Sequence, residues 1–192
     1  MYDESEIIEG IKQKNEAIFK FFVEKWQKQI INLCYNFTHN LQDAEDLAQE
    51  VFIEVYNSIN RFKGDSLLST WLYRIAVNKS INFINRNKLQ KILNFSFLFK
   101  EEDNIDDNYV IQHYDNVSES IEQKERIKIL NKAISSLPSQ QKIAFTLHKL
   151  QDISYKDIAE IMQLSLPAVE SLIHRAKKNL QKKLIKYYES KL

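Results

Sequence analysis

Ser154-Tyr155-Lys156-Asp157-Ile158-Ala159-Glu160-Ile161-Met162-Gln163-Leu164-Ser165-Leu166-Pro167-Ala168-Val169 is the stretch that decides the fold. Ser154 is a good helix cap, and Asp157 stands three positions on, the spacing of a capping box. Met162-Gln163-Leu164-Ser165 then interrupts the helical period. Ser165 is placed to cap a second helix, in whose first turn Pro167 is tolerated. Two short helices about a tight turn form a helix-turn-helix. The second helix carries Arg175, Lys177, Lys178, Lys182, Lys183 and Lys186, and no acid lies between Ser171 and Tyr188. That shape and charge suit a DNA groove, so sequence-directed DNA binding is the first expectation.

The rest of the chain agrees in class. Only two glycines and two prolines occur in 192 residues. Strands need turn residues, so the class is all-α. The net charge of +1 conceals an asymmetry. Residues 1–88 hold 11 basic and 12 acidic side chains, residues 89–124 hold 3 and 8, and residues 125–192 hold 13 and 6. An acidic middle and a basic C-terminal third point to a nucleic-acid partner. Cys34 is the only cysteine, which excludes a disulfide framework and a Cys-rich zinc site. Among apolar neighbours it reads as a small buried hydrophobe. The first ten residues are acidic with no signal-peptide core, and no apolar run approaches the ~20 residues of a membrane span. The expected location is therefore cytoplasmic, with no membrane insertion.

Four helices fit residues 1–88, at about Glu4–Gln13, Asn15–Phe37, Asp43–Ile59 and Ser69–Asn87. The second repeats Ile18, Phe22, Trp26, Ile30, Leu33 and Phe37 at helical spacing. Residues 89–118 lose that period: Asn94 to Phe99 is aromatic and Glu101 to Asp107 acidic, which reads as a flexible linker. Ser118 restarts a helix that ends near Leu137-Pro138, and Ser139 is expected to cap the next, to about Leu150. The architecture predicted is two small helical domains, 1–88 and 119–192, joined by the acidic segment 89–118.

On the final helix Val169, Leu172, Ile173, Ala176, Leu180 and Leu184 make one apolar stripe. The opposite side presents Pro167, Ser171, His174, Arg175, Lys178 and Lys182, and Ser165 and Glu170 at the same end of the helix are further candidates for DNA contact. The N-terminal members would lie nearest base edges and the lysines would neutralise phosphates. A merely solvated basic helix is the competing account of the lysine run, and the paired helix ahead of it favours DNA. No second ligand accompanies His174 at metal spacing, and no acid–base constellation is evident, so neither a metal, a cofactor nor an enzyme is expected.

The third helix also carries two stripes. Ala44, Leu47, Ala48, Val51 and Val55 read as core, while Asp46, Gln49, Glu50 and Ile53 form an acidic face with an apolar end. That face is either solvated or a dock for a basic helical partner. In the fourth helix a narrow stripe of Arg74, Asn78 and Asn82 escapes apolar cover, and Phe62, Lys63, Asp65, Ser66, Ser69 and Trp71 crowd its start. Aromatics among cations and amides are what single-stranded DNA requires, each stacked base being worth about 1–3 kcal/mol. Phe62 and Trp71 can equally be core.

Two blocks together resemble bacterial RNA polymerase sigma factors of the extracytoplasmic-function (ECF) type, with regions two and four only. The first is Asp43-Ala44-Glu45-Asp46-Leu47-Ala48-Gln49-Glu50-Val51-Phe52, continued by Arg61-Phe62-Lys63-Gly64 and by Thr70-Trp71-Leu72-Tyr73-Arg74-Ile75-Ala76-Val77-Asn78. The second is Leu137-Pro138, then Ser154 to Met162, Val169-Glu170-Ser171 and His174-Arg175-Ala176. The resemblance implies a non-catalytic, dissociable subunit of RNA polymerase that recognises promoter DNA. It implies that the Asp46, Gln49, Glu50 and Ile53 face docks on the β′ clamp of core polymerase, with a second contact to the β flap. It implies that the loop from Phe62 to Ser69, with Trp71, Arg74 and Asn78, melts the minus-ten element. The final helix would read the minus-thirty-five element, the linker would thread the polymerase channels, and an anti-sigma factor would be a further partner. Gln163 stands where the family usually has Gly, and Glu170 and Leu172 stand where Lys and Arg are common.

Overall fold

The computed structural model describes residues 2–94 and 121–189, and every regular element among them is helical. The helices are α1 (Glu4–Lys12), α2 (Glu16–Thr38), α3 (Leu41–Ser58), α4 (Leu68–Asn94), α5 (Ile121–Ser135), α6 (Ser139–Lys149), α7 (Tyr155–Met162) and α8 (Leu166–Glu189), with a 3₁₀ turn at Ile59–Arg61. The chain divides into two compact units, one holding α1–α4 and the other α5, α6, α8 and most of α7. Among the described residues no helix is long and apolar enough to cross a membrane.

In the first unit α2, α3 and α4 pack against one another, and α1 lies along α2 and the 3₁₀ turn. The core comes from the stripes that the period picks out. Phe22, Ile30 and Leu33 of α2, Val51 and Val55 of α3, and Leu72 and Ala76 of α4 are fully buried. Removing a side chain of the Phe22 class from water is worth about 2–3 kcal/mol, and each helix contributes several. Trp26 is only half-buried and meets Tyr73 edge-on at 6.2 Å. Cys34 is buried with the Ser80 hydroxyl 4.0 Å from its sulfur, and burial pushes its thiol up to about 12.

Local chemistry sets the helix ends. Asp3 and Glu6 form a reciprocal capping box on α1, at 2.8 Å each way. Asn40 Oδ1 accepts from the Asp43 N–H at 3.0 Å, so α3 starts at Leu41, two residues before the expected Asp43. Glu4 Oε1 accepts from the Leu68 N–H at 2.9 Å, which caps α4 from a different helix. No sequence period reveals such a cap. At its other end α4 continues to Asn94, past the expected stop near Asn87. The remainder of the expected linker, with the aromatic and acidic stretches and Ser118, lies outside the described residues.

In the second unit α8 packs on α6 and α5. Val169, Leu172, Ile173, Ala176 and Leu180 are buried, as are Ile143, Ala144 and Leu147 of α6 and Ile158 of α7. Ala133, Ile134 and Leu137 join Ala176 and Leu180 in one cluster. Ser139 is not the cap of α6: Pro138 holds that position without a side-chain bond, and Ser139 is the first helical residue. The Pro138 ψ of 143° is extended, so helical geometry begins only at Ser139, one place later than a serine cap requires. Ser154 does cap α7, its Oγ accepting from the Asp157 N–H at 3.2 Å and donating to Asp157 Oδ2 at 2.6 Å.

Candidate nucleic-acid and partner interfaces

The helix-turn-helix turn is built on a residue with a side chain. Gln163 has φ +54°, the left-handed region, and the Leu164 N–H donates to the Ala159 carbonyl at 2.9 Å. This is the helix-ending bond pattern for which glycine is usually selected. Lys14, His39 and Asp152 also take positive φ, and Gly64 is the only glycine that does, at +79°. A chain with two glycines closes its helices with ordinary residues, each at a cost of roughly 1–2 kcal/mol.

Past the turn, Ser165 sits just before α8, and its carbonyl accepts from the Val169 N–H at 3.1 Å. Ser165, Pro167, Glu170, Ser171, His174, Arg175, Lys178 and Lys182 are all exposed. The opposite stripe is buried, so α8 is held by one side and offers the other along about four turns. Arg175 Nε donates to the Ser171 carbonyl at 3.2 Å, which folds its root along the helix. Among the described residues no ion pair engages Lys178 or Lys182. Uncompensated cations on one face create the positive potential that attracts a polyanion. Leu166, 44% exposed in the first turn, belongs to the same end of the helix and was not singled out by periodicity.

The acidic face of α3 is equally open. Asp46, Gln49 and Glu50 are exposed, Ile53 is 59% exposed, and the five core residues of that helix are buried behind them. Glu50 is not alone, because Lys79 Nζ of α4 lies 3.3 Å from its Oε2. Ile53 closes one end of a shallow groove of about 530 Å³ between α2 and α3, whose walls include Phe19, Val23 and Tyr56. Sequence spacing picks out the face; it does not reveal Lys79 or the groove, which need the register of three helices.

The loop before α4 places the aromatic and polar group around two rings. Phe62 and Trp71 are half-buried with centroids 5.2 Å apart and planes tilted by 44°. They are therefore neither fully buried nor fully exposed. Lys63 and Asp65 are exposed, and Ser66 and Ser69 half-buried. Gly64 has no atom within 4 Å of the place a Cβ would take. On α4, Asn78 and Asn82 are exposed and Arg74 is half-buried, which leaves the narrow stripe expected between two apolar sides.

A third surface has no signal in helical periodicity. Leu130 of α5 and Ile185 of α8 are 37% and 48% exposed, and with Phe145, Leu180 and Leu184 they line an apolar groove of about 600 Å³ in the second unit. The two exposed aliphatics thus lie together beside the core cluster rather than scattered over the surface.

Comparison with known proteins agrees with both blocks. The Sigma-70 region 2 model matches residues 22–90, and the Sigma-70 region 4 model matches residues 127–180. The ECF RNA polymerase sigma-E factor of Haemophilus influenzae is 32% identical over 178 residues, 93% of each chain. The RNA polymerase sigma-H factor of Pseudomonas aeruginosa is 29% identical over 181 residues, 94% of this chain and 93% of that one. Two solved structures share the fold. CnrH in complex with the cytosolic domain of CnrY is 18% identical, with a TM-score of 0.68 over 94% of this chain and 96% of that one. The sigma factor RpoE in complex with the anti-sigma factor NepR from Bartonella quintana is 20% identical, with a TM-score of 0.64 over 86% of this chain and 96% of that one.

Proposed function

The chain belongs to the sigma-70 family, in its ECF group, and from that premise we propose that it joins core RNA polymerase in the cytoplasm and directs it to two promoter elements. Members of this family are initiation factors, not enzymes. The observation that carries the reading is α8: its cationic side is exposed from Pro167 to Lys182, while its apolar side is buried.

In this reading α8 lies in the major groove of the minus-thirty-five element. Ser165, Pro167, Glu170, Ser171, His174 and Arg175 face base edges, and Lys178 and Lys182 face phosphates. Glu170 can accept from a cytosine amino group, a preference that an arginine there would not give. At the minus-ten element the half-buried Phe62–Trp71 pair receives an unstacked base. Lys63, Asp65, Ser66 and Ser69 surround that base, and Arg74 and Asn78 hold the strand. Melting follows from differential binding, since only the open strand offers a free ring face.

Core polymerase docks through its β′ clamp on Asp46, Gln49, Glu50 and Ile53. Three polar groups and one exposed aliphatic suit a basic helix with an apolar end. The apolar groove of the second unit, with Leu130 and Ile185 at its rim, suits a helix of the β flap. An anti-sigma factor would cover one of these apolar surfaces, as partners are bound by the two structurally similar proteins. Residues 89–118 connect the two modules, so each promoter element is read at the spacing that polymerase imposes.

Run-off transcription with purified core polymerase on a randomised promoter library tests the reading. Selective transcripts from promoters sharing two spaced elements are expected. Absence of any transcript above core alone would overturn it. Tight specific DNA binding without polymerase would instead identify a self-sufficient helix-turn-helix regulator.

A further inference from the structure

Lys79 ties the two surfaces of the first unit together. Its ammonium is 3.3 Å from Glu50 Oε2 on the acidic face of α3, yet in α4 it directly follows Asn78, an exposed member of the proposed strand-facing stripe. The Lys79 side chain keeps 25% of its surface exposed and Glu50 keeps 60%, so both charged ends can be reached from solvent. Asp46, on the same face, has no ion-pair partner among the described residues.

We infer that Glu50–Lys79 is an exchange contact, in which a basic group of polymerase takes Glu50 and the released Lys79 takes a backbone phosphate of the minus-ten strand. The inference rests on the docking and strand-holding roles proposed above. Its chemistry is that of lysine: a compact charge with three donors on a flexible four-carbon stem, able to move between neighbouring acceptors without backbone motion. A point charge of that kind suits phosphate rather than a base edge. With its carboxylate 60% exposed, water screens this ion pair and keeps it weak, so a polymerase cation can tip the exchange. In the free protein the carboxylate neutralises a cation that DNA would otherwise attract. Linkage requires the reverse as well: a bound strand frees Glu50 and strengthens polymerase binding by the same factor.

The test uses holoenzyme assembled from purified core polymerase and a fork-junction promoter fragment with an unpaired minus-ten strand. With core saturating, Lys79→Gln is expected to lower the slope of log affinity against log salt by about 0.7–0.9, the loss of one phosphate contact. The same variant should bind core as tightly as the parent or up to about fivefold more tightly, because Glu50 no longer has an internal partner. In the free protein Glu50→Gln should raise affinity for a single-stranded minus-ten oligonucleotide by about two- to fivefold, and should have no effect when combined with Lys79→Gln. An unchanged salt slope in holoenzyme overturns the inference. So does a parallel loss of core and DNA binding by Lys79→Gln, which would mark a simple brace between α3 and α4. Failure of the unmodified holoenzyme to bind the fork would instead remove the proposed function on which the exchange depends.

Discussion

α3 and α8 follow one plan with opposite charge. Each buries an apolar stripe and presents a second stripe to solvent, acidic in α3 and cationic in α8. The difference lies in what answers the charge. Glu50 already has Lys79 beside it, and Ile53 adds apolar surface next to a groove. Lys178 and Lys182 have no internal counter-ion among the described residues. A face that mixes apolar surface with partly satisfied charge is suited to one shaped partner. A face of uncompensated cations is suited to a polyanion, whose contribution falls steeply with salt.

Perturbing each face separately tests that contrast. The largest effect is expected from Asp46→Lys combined with Glu50→Lys, which sets like charges against a basic partner. Affinity for core polymerase should fall about a hundredfold or more, with helicity by circular dichroism unchanged. Unaltered co-purification would remove α3 from the docking surface. Arg175→Ala comes next, with an expected loss of about 1–3 kcal/mol at a single base pair, read by competition among minus-thirty-five variants. Equal loss on every sequence would make Arg175 a phosphate contact and α8 a purely electrostatic surface.

The two units also differ in how the backbone is accommodated. A Cβ on Gly10 would lie 2.3–3.0 Å from three atoms of Ile18, so α1 and α2 approach through the missing side chain. Gly10→Ala should therefore destabilise the first unit by about 1–2 kcal/mol in thermal melts, although Ala is otherwise the better helix former. The core around Cys34 gives a pH signature. Its thiol is held at about 12 against an ordinary 9.0, so between those values the unfolded chain loses its proton first. Stability is unaffected below pH 9 and declines as pH rises above it, by about 1 kcal/mol at pH 10. A flat profile from pH 8 to 10.5, compared with Cys34→Ala, would contradict a closed core. The smallest effect belongs to the second unit. Gln163→Gly should stabilise it by about 0.5–1 kcal/mol by relieving a positive φ, with DNA affinity retained.

Much of this was legible in the chain because helices repeat. The stripes of α3 and α8 are period-3.6 patterns of local composition, and burial follows them except at Leu184, which is only partly buried. The cap at Ser154 is equally local, since its partner Asp157 is three residues away. Position 139 departs from expectation for a local reason too: the Pro138 φ of −54° suits a helix, and only its ψ of 143° puts the helix start at Ser139. Other features had no local signal. The cap of Leu68 by Glu4 spans 64 positions, and the Glu50–Lys79 pair spans 29.

Sequence alone determined the helical class, the two charged faces, the aromatic group before α4 and the turn at Gln163, since each depends on residues within a few turns of one another. Tertiary structure alone decided that Phe62 and Trp71 meet as a half-buried pair. It also decided that Lys79 reaches Glu50 and that Leu130 and Ile185 share a groove. Those outcomes depend on the registers at which separate helices pack, which are set by the fit of all the buried side chains together rather than by any one segment's period.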